Sequence, residues 1–302
     1  DFTFAATVEV IALLQLTPVL VDVDPINFNI DIAAIEKAIT PKTKAIIPVH
    51  LFGLAANMDE VMALAEKHNL YVIEDNAQGI GATYTSKTGQ KKMTGGIGHV
   101  GSTSFFPSKN LGCYGDGGAI FTNDDDLAHV IRGIVNHGMY KRYHHDVVGV
   151  NSRLDSIQAA VLRAKLPKLD QYNTTRRNTA RKYTMAFAGI QNIITPTGFC
   201  NSSSSICDTC DCHVFHQYTL QVKNIDRDAL VAHLNANDIP CGVYYPIPLH
   251  LQKAYADTRY KEADFTVTNR LVKEVVSLPM HTELDDEQIA FITKTLIDFV
   301  TK

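Results

Sequence analysis

Leu70-Tyr71-Val72-Ile73-Glu74-Asp75-Asn76-Ala77-Gln78 runs from an apolar stretch into two carboxylates and two amides. Its first four residues have the apolar, β-branched and aromatic character of a buried strand, and the polar residues mark the carboxyl end. Just upstream, Asn57 to His68 sets Met58, Val61, Met62, Leu64 and Ala65 at intervals of three and four, one face of a helix. Further back, Lys44-Ala45-Ile46-Ile47-Pro48-Val49-His50 reads as a strand, Ile32 to Ile39 as a helix, and Pro18-Val19-Leu20-Val21-Asp22-Val23 as a strand. Strands alternating with helices predict an α/β fold with a central, mostly parallel sheet covered on both faces. Ligands of such sheets gather beyond the carboxyl ends of the strands, where His50 and Asp75 fall.

Downstream, Tyr84 to His99 is rich in Gly, Lys and Thr and reads as an exposed loop. Gly101 to Phe106 and Gly118 to Thr122 read as two strands, followed by a helix from about Asp124 to Asn136. Asp155 to Leu166 is amphipathic, and Pro167 is expected to bend it before it continues toward Phe187. A long helix of this kind suggests a boundary, with a large domain over 1–165 and a smaller C-terminal α/β domain over 166–302. In the second part Val214 to Val222 and Gly242 to Tyr245 read as strands, and Arg227 to Asn237 and Asp285 to Phe299 as helices.

The chain has 302 residues, 45% hydrophobic and 20% charged, so it can bury a substantial core. A net charge of −4 without a run of one sign argues against a nucleic-acid footprint or a polybasic membrane patch. No stretch of about 18 uncharged apolar residues is present, so no membrane span is expected. The chain opens on Asp1-Phe2-Thr3-Phe4-Ala5-Ala6-Thr7, with a helix beginning near Thr7 and no secretory signal. Cys113, Cys200, Cys207, Cys210, Cys212 and Cys241 do not form a disulfide framework, which suggests a cytoplasmic protein.

The strands on either side of the segment from Phe105 to Gly117 enclose Ser104-Phe105-Phe106-Pro107-Ser108-Lys109-Asn110-Leu111-Gly112 and then Tyr114-Gly115-Asp116-Gly117-Gly118. A lysine amine and a strand-end carboxylate are the two side chains most needed by an enzyme that uses pyridoxal 5'-phosphate. Lys109 is the candidate for the Schiff base and proton shuttle, and Asp75 for the partner of the pyridinium nitrogen. Gln78 is placed to reach the cofactor's phenolic oxygen or a neighbour of it. Ser104 suits a phosphate cup, and the glycines permit either close backbone approach or a plain hairpin.

Ser104 to Asn110, Gly115 to Asn123, Ile73 to Gln78, and Gly149-Val150-Asn151-Ser152-Arg153-Leu154-Asp155 with Gln158-Ala159-Ala160 resemble the nucleotide-sugar aminotransferases of the DegT/DnrJ/EryC1/StrS group. The resemblance runs the length of the chain and is weakest near 84–99 and 199–213. It implies a fold-type I aminotransferase that acts as a homodimer with the active site at the subunit interface. It gives Lys109 the Schiff-base role, Asp75 the pyridine nitrogen, Gln78 and Ser104 cofactor contacts, and Phe4 the stacking position. Asn151 would reach the phosphate from the other subunit.

Thr103 to Lys109, Gly112 to Asp116, Arg142-Tyr143-His144-His145 and Tyr245-Pro246-Ile247-Pro248-Leu249 look like enzymes that aminate UDP-2-acetamido-2-deoxy-3-keto-hexuronic acid with glutamate as donor. In them an arginine matching Arg153 meets the substrate carboxylate. Tyr244 and Tyr245 fall on a His-Tyr pair, so Tyr244 departs from the pattern and leaves dTDP- or UDP-linked 3-keto or 4-keto deoxysugars open. His250 is a family feature with a plausible substrate contact. Family members carry roughly 70 to 80 residues before the Phe-Thr-Phe motif, about half a typical domain, so the chain is expected to lack part of the phosphate cup and dimer interface.

Two features stand outside this scheme. Cys207-x-x-Cys210-x-Cys212 with Cys200 and His213 has spacing weaker than paired zinc knuckles, so a surface insertion without metal is the expectation. Arg142 to His145 reads equally as a basic substrate patch or as a loop touching the partner subunit. The competing functional readings are a pyridoxal-phosphate sugar dehydratase, which Lys109 disfavours, and an inactive truncated module.

Overall fold

The protein is described from a computed structural model covering residues 1–196 and 211–301. In chain order its first half contains α1 (Ala6–Leu13), α2 (Ile32–Ala38), β1 (Ala45–Ile46), α3 (Met58–His68), β2 (Tyr71–Asp75), β3 (Thr83–Thr85), β4 (Lys91–Met93), β5 (Val100–Ser104) and β6 (Gly118–Phe121). Next come α4 (Asp125–Ile134), β7 (Met139–Lys141), β8 (His144–His145), α5 (Ser156–Lys165) and α6 (Leu169–Ala186). The chain closes with β9 (Ile193–Ile194), β10 (Tyr218–Val222), α7 (Arg227–Ala236), α8 (Thr266–Glu274), β11 (Val275–Leu278) and α9 (Asp286–Val300).

Local chemistry sets the helix ends. The Asp31, Asp124, Asp226 and Asp285 side chains each accept a backbone N–H from the first turn of α2, α4, α7 and α9. α3 begins with Asp59 and Glu60, ends with Lys67 and His68, and stops at Asn69 in the left-handed region (φ 52°).

The first sheet has the order β1-β2-β5-β6. β1 and β5 both run parallel to β2, and β6 returns antiparallel to β5 with Ser104 opposite Gly118. Met58, Val61, Leu64 and Ala65 of α3 pack with Ile46, Leu70 and Val72, as the helical spacing predicts. The second sheet is antiparallel, β11-β10-β9, and its core includes Tyr183 and Phe187 of α6 and its end, Leu230 and Leu234 of α7, and Ile289, Ile292 and Leu296 of α9. At Pro167 a single tight turn (Leu166–Lys168) separates α5 from α6, the bend expected there.

Several elements differ from expectation. Pro18 to Val23 is not a strand, and only Val23 pairs, singly, with Ile30. Its backbone is satisfied by side chains instead: Leu20 N–H donates to the Tyr260 hydroxyl (2.8 Å), and Pro18 C=O accepts from Tyr260 (3.1 Å). Tyr84 to His99 is not wholly an exposed loop. β3 and β4 form a hairpin, and the buried Tyr84 donates to Asn57 Oδ1 (3.0 Å). β10 starts only at Tyr218, because Val214 N–H donates to Gly53 C=O (2.9 Å) rather than to a sheet. Gly242 to Tyr245 pairs only through Gly242, with Ser277 of β11, a four-residue strand too short to read from the sequence.

Candidate active site

Asp75 ends β2 half-buried. Its N–H donates to Pro48 C=O (2.9 Å) and its C=O accepts from His50 N–H (3.0 Å), so the chain after β1 holds it from one side. Its carboxylate accepts the Ala77 N–H on Oδ1 (3.0 Å) and the Thr7 hydroxyl on Oδ2 (2.6 Å).

The neighbouring Glu74 side chain is wholly buried. It accepts from His50 Nε2 (2.8 Å) and from the N–H groups of Gly95 (2.7 Å), Ile97 (2.6 Å) and Gly98 (2.6 Å). Burial pushes the Glu74 carboxyl up, but the His50 hydrogen bond and the backbone donors outweigh it and hold the group below its ordinary value. His50 Nδ1 accepts the Ala56 N–H (3.1 Å), so Nε2 carries the hydrogen donated to Glu74. His50 is therefore a structural partner of Glu74, closed to ligands.

Lys109 sits half-buried in the loop from β5 to β6. Burial holds its amine below the ordinary lysine value, and the Asp75 carboxylate acts on it in the opposite sense, so the two groups lie within electrostatic reach. The next residue anchors the loop: Asn110 Nδ2 donates to Asn173 Oδ1 on α6 (2.8 Å) and to Val214 C=O (3.0 Å). One turn along α6, Arg176 Nη1 donates to the carbonyls of Phe215 (3.0 Å) and Met280 (3.1 Å), and burial lowers this guanidinium to about 10. His216 is buried between these charges. Its pKa is driven well below the ordinary value by burial first, then by Lys109 and Arg176. His216 Nδ1 and Asn110 Oδ1 are buried without a hydrogen-bond partner.

Ser104 ends β5 half-buried, and its Oγ accepts the Phe106 N–H (3.2 Å), which leaves the hydroxyl hydrogen to donate. Gln78 is buried and committed within the protein: Oε1 accepts the Phe52 N–H (2.5 Å) and Nε2 donates to the Tyr245 hydroxyl (3.1 Å). Burial pushes the Tyr245 hydroxyl up to about 12, against the Gln78 hydrogen bond. Tyr245 stacks on Phe52 (6.5 Å between centroids), and Phe4, 59% exposed, lies 6.3 Å from it. Tyr244 lies over Gly242, where an added Cβ would meet its ring at 2.6 Å.

The structure does not bring every candidate together. Asn151 and Arg153 are exposed, and Arg153 Nε donates to Asn151 Oδ1 (2.9 Å). Among the described residues no hydrogen bond or ion pair joins them to Lys109 or Asp75. They share their surface with exposed Val147, Val148, Val150, Leu154 and Ile157. His250 is 6% exposed, stacked on Phe265 at 4.3 Å, with Nδ1 at 2.7 Å from Asp1 Oδ2, so its ring offers a substrate little surface. Cys200, Cys207 and Cys210 lie outside the described residues. Cys212 and His213 are buried, and no group of three or more metal-binding side chains occurs among the described residues. Arg142 to His145 lies on the exposed β7–β8 hairpin, with the Arg142 guanidinium 4.9 Å above the Tyr143 ring. No helix among the described residues is long and apolar enough to cross a membrane.

Sequence reasoning missed Thr7, Glu74, Asn173, Arg176 and His216 as parts of this site. Thr7 had a signal, standing at the end of the Phe-Thr-Phe motif. Asn173 and Arg176 had none, being ordinary polar residues on a helix whose site-facing side only the tertiary structure defines.

The profile described as the DegT/DnrJ/EryC1/StrS aminotransferase family matches residues 1–297. A UDP-N-acetyl-3-dehydro-alpha-D-glucosamine 3-aminotransferase of Acidithiobacillus ferrooxidans is 46% identical over 297 residues, 98% of this chain and 75% of that protein. A UDP-2-acetamido-2-deoxy-3-oxo-D-glucuronate aminotransferase of Pseudomonas aeruginosa is also 46% identical, over 98% of this chain and 77% of that protein. The crystal structure of S. venezuelae DesV in complex with a ketimine intermediate superposes with a TM-score of 0.90 at 36% identity, covering 99% of this chain and 76% of that one. The chain therefore has the α/β fold of these transferases and belongs to the DegT/DnrJ/EryC1/StrS aminotransferase family.

Proposed function

We propose that this chain uses pyridoxal 5'-phosphate to move an amino group from glutamate to a keto nucleotide-sugar, with UDP-2-acetamido-2-deoxy-3-keto-hexuronic acid as the leading substrate. The observation that carries this reading is the half-buried Lys109 amine, lowered by burial and within electrostatic reach of the Asp75 carboxylate. The residues fit the cofactor: an acid for a protonated ring nitrogen, an amine for its aldehyde, and a strand-end hydroxyl at Ser104. The unpartnered His216 Nδ1 and Asn110 Oδ1 beside the lysine segment are polar atoms of the kind a ligand completes.

When bound, the cofactor supplies an electron sink that stabilises negative charge at the substrate carbon. The protein's task is to hold and move protons around it. A lysine shifted down by burial spends more time as a neutral amine near neutral pH, so Lys109 is suited both to attack a carbonyl and to accept a proton. Asp75 is held at both oxygens, which sets the plane of its carboxylate. Burial, Lys109 and Arg176 together keep the neighbouring His216 neutral. Phe4 is the candidate to stack on the cofactor ring, and Gln78 supports its neighbour Tyr245.

Asn151 and Arg153, exposed among apolar side chains, support a homodimer in which they serve the other subunit's site. The division into domains at 1–165 and 166–302 belongs to the same proposal, with the first sheet carrying the cofactor and the second supporting it. Two similar relatives are equally identical to this chain, and the substrates in their names differ in whether the sugar is a glucuronate. A neutral UDP-linked 3-keto-sugar is therefore the second reading, and Arg153 is the residue that would separate the two.

Adding pyridoxal phosphate and then borohydride should fix the cofactor to Lys109, read by peptide mass, and Lys109→Ala should abolish the adduct. Glutamate added before reduction should remove the trappable form. Cofactor that is trapped but indifferent to glutamate would exclude amino transfer from that donor.

A further inference from the structure

Thr7 lies in the first turn of α1, a helix whose N-cap is Ala5 and which has no side-chain cap. A threonine in a helix usually turns its hydroxyl back on the carbonyl four residues earlier. For Thr7 that residue is Thr3, outside the helix. The hydroxyl instead crosses to a strand end 68 residues away and donates to Asp75 Oδ2 at 2.6 Å. Asp75 Oδ1 is taken by the Ala77 N–H at 3.0 Å, so both oxygens are tied and the carboxylate plane is set. Phe4, the candidate ring-stacking residue, lies in the segment that enters α1. The same hydroxyl thus ties the acid to the strand of chain that carries the aromatic.

We infer that Thr7 is a positioning residue for the amino-transfer site: its hydroxyl fixes the direction of the Asp75 carboxylate, which would pair with the ring nitrogen of the cofactor. This rests on the reading of the site given above. Valine has nearly the shape of threonine without the donor, and serine keeps the donor without the methyl group. Thr7→Val should weaken pyridoxal phosphate retention roughly tenfold, the size expected for one hydrogen bond to a charged group, and should shift the absorption band of the bound cofactor. Thr7→Ser should restore retention to within about threefold and return the band to the wild-type position.

The absorption band separates this role from simple support of α1: the thermal midpoint of cofactor-free Thr7→Val should fall with the lost hydrogen bond, and only a redirected Asp75 should also move the band. Wild-type retention and band position in Thr7→Val would overturn the inference alone, with the cofactor reading intact. A midpoint that falls with cofactor retention in both variants, without rescue by serine, would overturn it in favour of a structural role. A wild-type protein that traps no cofactor on Lys109 would overturn the cofactor reading and this inference together.

Discussion

Every residue of β10 and β11 is buried, whereas β6 buries none of its four and β2 buries only Val72 and Glu74. The second sheet is wrapped by Tyr183, Phe187, Leu230, Leu234, Ile292 and Leu296, and its polar Thr219 and Ser277 satisfy each other at 2.7 Å. The first sheet buries an ionisable Glu74, and unpartnered polar atoms sit around it on Asn76, Asn110 and His216. An unsatisfied buried polar atom costs on the order of 1–3 kcal/mol, so a region that keeps several is giving up stability for some other purpose. The second sheet supplies packing. The first carries groups that a ligand would complete, and α6 joins the two through Asn173 and Arg176.

This contrast breaks most sharply at Lys109. Lys109→Ala should take amino-transfer activity below detection, yet leave the cofactor-free protein at least as heat-stable as the wild type. Burial already penalises the folded ammonium: the penalty is full below the lowered folded value and vanishes as pH rises to the ordinary 10.5. Calorimetry of the two proteins at pH 7 checks it, and a large loss of stability would show that the first sheet depends on its lysine for packing.

Leu220→Ala tests the opposite side. Leu220 is fully buried in the second core, and the cavity should cost about 2–5 kcal/mol by denaturant unfolding. Cofactor trapping per folded molecule should stay near the wild-type level.

Glu74→Gln sharpens the comparison inside the first sheet. Glutamine cannot accept four donors as a carboxylate does, and a loss of about 2–3 kcal/mol at pH 7 is expected. Glu74 has a folded value below the ordinary 4.5, so its contribution is present above that pH and is lost as pH falls through the folded value. The gap between variant and wild type should therefore narrow in acid-unfolding curves taken below about pH 4.5. A gap constant with pH would assign the loss to packing rather than charge.

Arg153→Leu carries the smallest expected effect. It should lower kcat/KM for the 3-keto uronate about tenfold more than for the neutral 3-keto sugar, the discrimination expected from one charge-assisted pair. Equal losses would favour the neutral substrate.

Much of the first sheet was readable before any coordinates. The spacing of Met58, Val61, Leu64 and Ala65 defines α3, and the apolar run to Ile73 followed by Glu74-Asp75 defines β2 and its ligand-facing end. Asp75 and Lys109 stood out in the sequence because one closes an apolar strand and the other lies in a distinctive string between two strands. Much of the second sheet was not: β11 is four residues, three of them apolar, entered directly from α8, and so short a run carries no period. Gln78 and His250 were legible as motif members, but their partners Phe52, Tyr245 and Asp1 were not.

By itself the amino-acid sequence determined the helix and strand periods, the order of the α/β units, and that Asp75 closes a strand while Lys109 lies in the loop between two strands, because these depend on neighbours a few residues apart. Only the tertiary structure decided that Thr7 would hold Asp75, that His50 would serve Glu74, that Asn173 would brace the lysine segment, and that Arg176 would bind the Phe215 carbonyl. Those bonds join residues tens of positions apart, and their geometry exists only once the packed elements have set the distances between them.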